Sequence, residues 1–240
     1  MKNVYSRSFE SAPPPRNIDY SKGFTLAEVL ITLGIIGIVA AMTMHTLIQN
    51  YQKKEAATRL KYAYSVIAQA VKMSEIDNGP MEDWLDEASS TDGSTEVTKV
   101  FVDTYLTPYI KAVKTIKMPT SGMPYEYYYK ENGKLVSAGG HTHYSIALAN
   151  GVYLHFNANF AQEDSITLRI DTNGQTRPNI IGRDIFFANF NSKGFYLKGH
   201  NYNRDTLLRY CKQGSIGSGA QTCGGLIELD GWEIKKDYPW

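Results

Sequence analysis

The chain of 240 residues has only two cysteines, Cys211 and Cys223, and a net charge of +1 from 25 basic and 24 acidic residues. Two cysteines are too few for a four-cysteine metal site or a disulfide-dense scaffold. So small a net charge gives no general pull toward nucleic acid, and no nucleic-acid partner is expected. Proline is absent between Pro15 and Pro80, which leaves that stretch open to continuous helix. Charge is missing from Val29 to Gln52, 24 residues without Asp, Glu, Lys or Arg. A second uncharged run, Leu135–Gln162, is broken by Gly139, Gly140, Gly151, three histidines and three asparagines, so only the first run is continuously apolar. No G-x-S-x-G elbow accompanies the Ser, His and Asp residues, and no enzymatic activity is expected. The remainder, 42% hydrophobic and 20% charged, is ordinary for a folded chain of one or two domains.

What is present at the front is a membrane span. A bilayer core about 30 Å thick needs roughly 20 apolar residues as a helix, and Phe24–Met44 supplies 21. Residues 1–23 carry Lys2, Arg7, Arg16 and Lys22 against Glu10 and Asp19, with no apolar core of their own. An ordinary signal peptide is cut after its apolar region. Here the only polar-to-apolar boundary lies before it, at Ser21-Lys22-Gly23-Phe24. Glu28 sits inside the span, where a carboxylate costs roughly 2.5–3.5 kcal/mol near the helix centre and less toward the end. A cut after Gly23 would place the cationic α-amino group of Phe24 in the same layer. Glu28 is four residues on, so the two share a helix face. In staggered copies the amine of one can meet the carboxylate of the next.

The segment Lys22-Gly23-Phe24-Thr25-Leu26-Ala27-Glu28-Val29-Leu30-Ile31 resembles the N-terminal motif of type IV pilins and type II secretion pseudopilins. The resemblance implies a prepilin peptidase cutting after Gly23, N-methylation of Phe24, and Glu28 used to dock subunits. It also implies copies of the chain and other pilin-like subunits as partners, an inner-membrane assembly platform, and a C-terminal domain outside the cytoplasm, later in a periplasmic or surface filament. Basic residues do not choose the orientation by themselves, because Lys53, Lys54, Arg59 and Lys61 flank the span opposite the four in residues 1–23. One departure from the family pattern is the missing proline about twenty residues into the mature chain, where His45 stands instead. Two rival readings are a minor tip pilin that binds a ligand, and a membrane-tethered binding domain or enzyme that never polymerises.

Beyond the span, Ala56, Leu60, Ala63, Ile67, Ala70 and Val71 form one stripe of an amphipathic helix. Glu55 and Arg59 are placed to pair at i,i+4. Asp77-Asn78-Gly79-Pro80 is a stop signal. The expected organisation is a leader at 1–23, an assembly helix at 24–52, its amphipathic continuation at 53–77, and a β-rich headpiece at 78–240. The fold class is therefore α+β, a long helix packed on an antiparallel sheet. A short helix is expected around Val97–Leu106 and a loop from Pro119 to Pro124. Hairpins are expected around Asn132-Gly133 and Asn150-Gly151, a strand at Ser165–Ile170, and a last strand with a docked terminus in Gly231–Trp240.

Other constellations have bland and functional readings. Asp171, Asn173, Asn179 and Asp184 fit a loop whose side chains bond their own backbone; Asp171, Asn173 and Asp184 are the candidate calcium ligands, and no other cofactor is expected. His141, His143 and His155 read as strand histidines before metal ligands. The tyrosines among Tyr125–Tyr129 read as sheet residues before a stacking surface. Cys211 and Cys223 are expected to close a glycine-rich loop by a disulfide, worth roughly 3 kcal/mol in the chain-entropy model. Free thiols are the alternative, and the disulfide is also what the resemblance implies.

Overall fold

The computed structural model describes residues 23–84, 95–110, 113–115, 126–131, 134–138, 144–159, 165–213 and 219–240. The described chain divides into two compact units between Thr46 and Leu47. Its longest element, α1, is the helix Leu26–Asn78. Gly34 and Gly37 do not interrupt it. Its end is built from the expected signal: Gly79 has φ +81°, a conformation that favours glycine. The indole N–H of Trp84 donates to the carbonyls of Asn78 at 3.2 Å and Gly79 at 3.0 Å, meeting acceptors that a helix end leaves open.

In the second unit, α1 buries Ala56, Ala57, Leu60, Ala63, Ile67, Ala70, Val71 and Ser74. These include every residue of the stripe read from the sequence. Burying Leu60 and Ile67 contributes about 1.5–3 kcal/mol each. The Glu55–Arg59 pair forms at 2.7 Å, and Arg59 also donates to the Thr172 carbonyl at 3.0 Å. Helix α2 spans Thr95–Tyr105 and ends before Pro108, which falls in a 3-10 turn at Thr107–Tyr109. Proline fits there because the first turn of a helix needs no N–H from it.

Among the described residues eight strands follow: β1 Val113–Thr115, β2 Tyr128–Glu131, β3 Lys134–Ser137, β4 Tyr144–Leu148, β5 Tyr153–Asn159, β6 Ser165–Asp171, β7 Ile185–Asn191 and β8 Gly194–Leu197. Six make one antiparallel sheet in the order β1-β4-β5-β6-β7-β8, and β2 and β3 make a separate two-stranded sheet, with Tyr128 of β2 also bridged to Ile180. The meander β4 to β8 and the long helix together give the expected α+β, pilin-like architecture. Its registers set Leu154 opposite Ile170 and Phe156 opposite Leu168, and these side chains share one apolar cluster with the α1 stripe, α2 and Phe190.

The sheet is buried on its other face too. Tyr127, Tyr129, Ile181, Ile185, Phe187 and Ala220 form a second cluster, so every residue of β6 is buried although its sequence alternates. Arg169 on that face lies over the rings of Tyr127 at 5.5 Å and Phe187 at 5.6 Å. Toward the C-terminus the described residues form two further helices, α3 Arg204–Gln213 and α4 Cys223–Leu229. The strand expected in Gly231–Trp240 does not form. Gly231 and Trp232 both take positive φ, +81° and +66°, which breaks any extended run. The tail is held by side chains: Asp230 binds Arg204 at 2.7 Å and Lys235 at 3.0 Å, and the Tyr238 hydroxyl donates to the Gly182 carbonyl.

Candidate functional site

The geometry of the N-terminal site begins one residue before α1. Thr25 is the cap: its amide N–H and its hydroxyl each donate to Glu28 Oε2 at 2.8 Å. The Glu28 amide donates back to Thr25 Oγ1 at 3.2 Å. This reciprocal pattern is a capping box, and the carboxylate also lies at the positive end of the helix dipole. Thr25 is therefore a working residue of the site that the sequence reading passed over. The signal was there to use, since Thr25-Leu26-Ala27-Glu28 before an apolar run is the capping-box spacing.

Around this cap the helix is bare. Phe24 is 89% exposed and Leu26 79%, and Leu30, Ile31, Leu33, Ile35 and Ile36 are also exposed. Among the described residues α1 is the one helix long and apolar enough to cross a membrane. Hydroxyls within it are satisfied internally: Thr32 donates to the Glu28 carbonyl at 2.9 Å and Thr43 to the Val39 carbonyl at 2.9 Å, as lipid requires of every polar group. Gly23, Phe24 and Thr25 are outside the helix, with Gly23 and Phe24 exposed. The Gly23–Phe24 bond is thus not tied into helical hydrogen bonding. The leader residues 1–22 lie outside the described residues.

The structure brings Asp171, Asn173 and Asp184 together and joins them by hydrogen bonds. The Asn173 amide N–H donates to Asp171 Oδ1 at 3.1 Å, and its side-chain amide to Asp184 Oδ2 at 3.1 Å. Asp184 Oδ2 also accepts from the Asn179 N–H at 2.8 Å, and the Asp184 carbonyl accepts from the Thr172 hydroxyl at 3.0 Å. Burial pushes the Asp184 carboxyl above the ordinary carboxylate range, while the amides of Ile180 and Asn179 pull against that shift. The turn uses Asn179 at φ +53° and Gly182 at φ +83°. At Gly182 a Cβ would come within 2.8 Å of Cys223 Sγ.

His155 is fully buried, with Ser145 Oγ 2.7 Å from its Nδ1. Burial, helped by the Arg169 charge, lowers its pKa to about 3. It is a neutral core residue at physiological pH. His141, His143, Tyr125, the Asn132-Gly133 turn and the Pro119–Pro124 loop lie outside the described residues. Tyr127 and Tyr129 are buried in the second cluster, which answers the stacking-surface reading for these two residues. Cys211 and Cys223 are joined, with Cα atoms 5.1 Å apart, and link α3 to α4.

With this geometry in hand, two family comparisons bear on the chain. Residues 46–240 match a family of unknown function, DUF6613. Residues 19–44 match the prokaryotic N-terminal methylation motif, which supports a type IV pilin-like family. Among curated proteins and solved structures, none matches the chain.

Proposed function

This chain belongs to the family of unknown function DUF6613, and we propose that it is a structural subunit, cut after Gly23 and assembled into a type IV pilus or a type II secretion pseudopilus. The observation that carries the reading is the isolated charge at the head of α1. Between Lys22 and Lys53 the chain has no Lys or Arg, so Glu28 has no basic side chain of its own within the apolar layer. Cleavage by a prepilin peptidase would supply the cation, as the α-amino group of Phe24. In a row of staggered copies each new amine then neutralises the neighbour's Glu28, and the exposed apolar helices pack against one another. Such head-to-tail contacts extend without closing, which gives a filament.

The subunit waits in the cytoplasmic membrane with residues 47–240 outside the cytoplasm. The disulfide between Cys211 and Cys223 suits that side, because such bonds persist outside a reducing compartment. Shearing cells and blotting the released filaments against the washed membranes tests the assignment. The processed chain is expected in the sheared fraction together with other pilin-like subunits. A chain that stays wholly with the membranes while filaments are released is a tether and contradicts the proposal.

A further inference from the structure

The net charge of +1 conceals a separation of charge along the second unit. Between Lys72 and Lys99 the sequence holds eight carboxylates and no Lys or Arg. Of these, Glu75, Asp77, Glu82, Asp83 and Glu96 are exposed in the described residues. Elsewhere in the unit a cavity of about 740 Å³ opens between β2, the loop before β7, α3 and the C-terminal residues. Its lining holds four basic side chains, Lys130, Arg183, Arg209 and Lys212, against the single acidic side chain of Asp205. The buried disulfide Cys211–Cys223 forms part of its apolar floor.

Arg183 acts on the Asp184 carboxylate and Lys212 on Asp237 through space, without direct contact. Among the described residues none of the four makes an ion pair, whereas Arg204, at the start of the same α3, is held by Asp230 at 2.7 Å and Asp237 at 2.9 Å. Arg183 is held in place by other means. Its guanidinium donates to Gln52 Oε1 at 3.3 Å and lies over the Trp240 ring at 5.2 Å. That contact fixes where the basic cavity sits along α1, because Gln52 is a helix residue. The acidic surface is fixed at the other end, where Asp77 of α1 accepts from the Tyr109 hydroxyl at 2.9 Å. From Gln52 to Asp77 the helix advances about 38 Å at 1.5 Å per residue. The basic cavity and the acidic surface are therefore tied to positions far apart along α1.

We propose that the basic cavity receives the acidic surface of a second copy of this chain, so that headpieces contact one another end to end. This rests on the assembly proposed above and adds a second contact outside the membrane. Complementary ends of one unit make a heterologous contact, which continues from copy to copy. Exposed charges of this kind select the partner and its register more than they add affinity, and salt weakens them.

The test uses the full chain in lipid vesicles, as an equal mixture of light and ¹⁵N-labelled copies. A carbodiimide joins an ammonium to a touching carboxylate with loss of water, and mixed-isotope peptides report contacts between copies. The expected bonds join Lys130 or Lys212 to Glu75, Asp77, Glu82, Asp83 or Glu96. Arg183→Glu with Arg209→Glu should lower their yield by about tenfold, as should Glu82→Lys with Asp83→Lys, and the two pairs combined should restore it to within about twofold. Absence of mixed-isotope bonds, bonds to other regions, or no restoration overturns the proposal. A Lys130 and Lys212 protection that follows phosphatidylglycerol content and ignores Glu82 and Asp83 overturns it in favour of a lipid surface. The readout is a contact and not a filament. Filaments without these bonds sink only this contact, whereas these bonds in a chain that never enters filaments sink only the assembly reading.

Discussion

Glu28→Ala is expected to remove the chain from sheared filaments while leaving it in the membrane. Taking one partner from a buried ion pair costs about 3–5 kcal/mol, and each 1.4 kcal/mol is about tenfold in an equilibrium. Incorporation should therefore fall by roughly two to four orders of magnitude, read by blotting filament and membrane fractions. The capping box complicates this variant, because Glu28 also accepts from the Thr25 N–H and hydroxyl. Glu28→Gln separates the two roles. Glutamine serves at this position of a capping box but carries no charge to meet an amine. It should fail in assembly as alanine does. Normal filaments from the glutamine variant would assign the residue to helix capping and remove the charge pairing from the account.

A comparably large effect is expected in the core, from Phe190→Ala. Phe190 is fully buried, with ring centroids 4.7 Å from Phe195, 5.7 Å from Phe101 and 6.2 Å from Phe156. It thus joins β7 to β8, α2 and β5 at a single point. Truncating such a side chain leaves a cavity and costs about 3–5 kcal/mol, a large share of the 5–15 kcal/mol that holds a typical domain. Chemical denaturation of the purified full chain, followed by tryptophan fluorescence, measures the loss. Val100→Ala on the exposed side of α2 is the control and should change stability by no more than about 0.5 kcal/mol. Equal effects from the two would mean that the aromatic cluster does not organise the fold.

Much of this structure is legible before folding, for reasons that differ by element. The α1 stripe is readable because small and branched apolar residues recur at helical spacing from Ala56 to Val71, and the helix buries all of them. The β4–β5 hairpin is readable because Asn150-Gly151 supplies the positive φ that the turn uses. Strand β7 is not, since Ile185-Phe186-Phe187-Ala188 is apolar at every position and gives no period. It is buried on both faces. Helix α4 is hidden by Gly224 and Gly225, which look like loop. Packing requires them: a Cβ on Gly225 would come within 2.7 Å of the Lys198 carbonyl oxygen. The C-terminal tail misled in the other direction, its aromatic residues suggesting a strand where ion pairs and Trp232 at positive φ hold an irregular path. At the N-terminal site, the charge of Glu28 is plain in the sequence. Its capping partner Thr25 is equally readable once the motif is treated as a helix start.

Whether a positive group is made beside that carboxylate decides the matter. Mass spectrometry of the N-terminal peptide from the membrane-extracted chain answers it directly. The account predicts a peptide that begins at Phe24 and carries one methyl group on its nitrogen. A chain still starting at Met1, or one trimmed beyond the apolar helix, would leave Glu28 without its mate and contradict it.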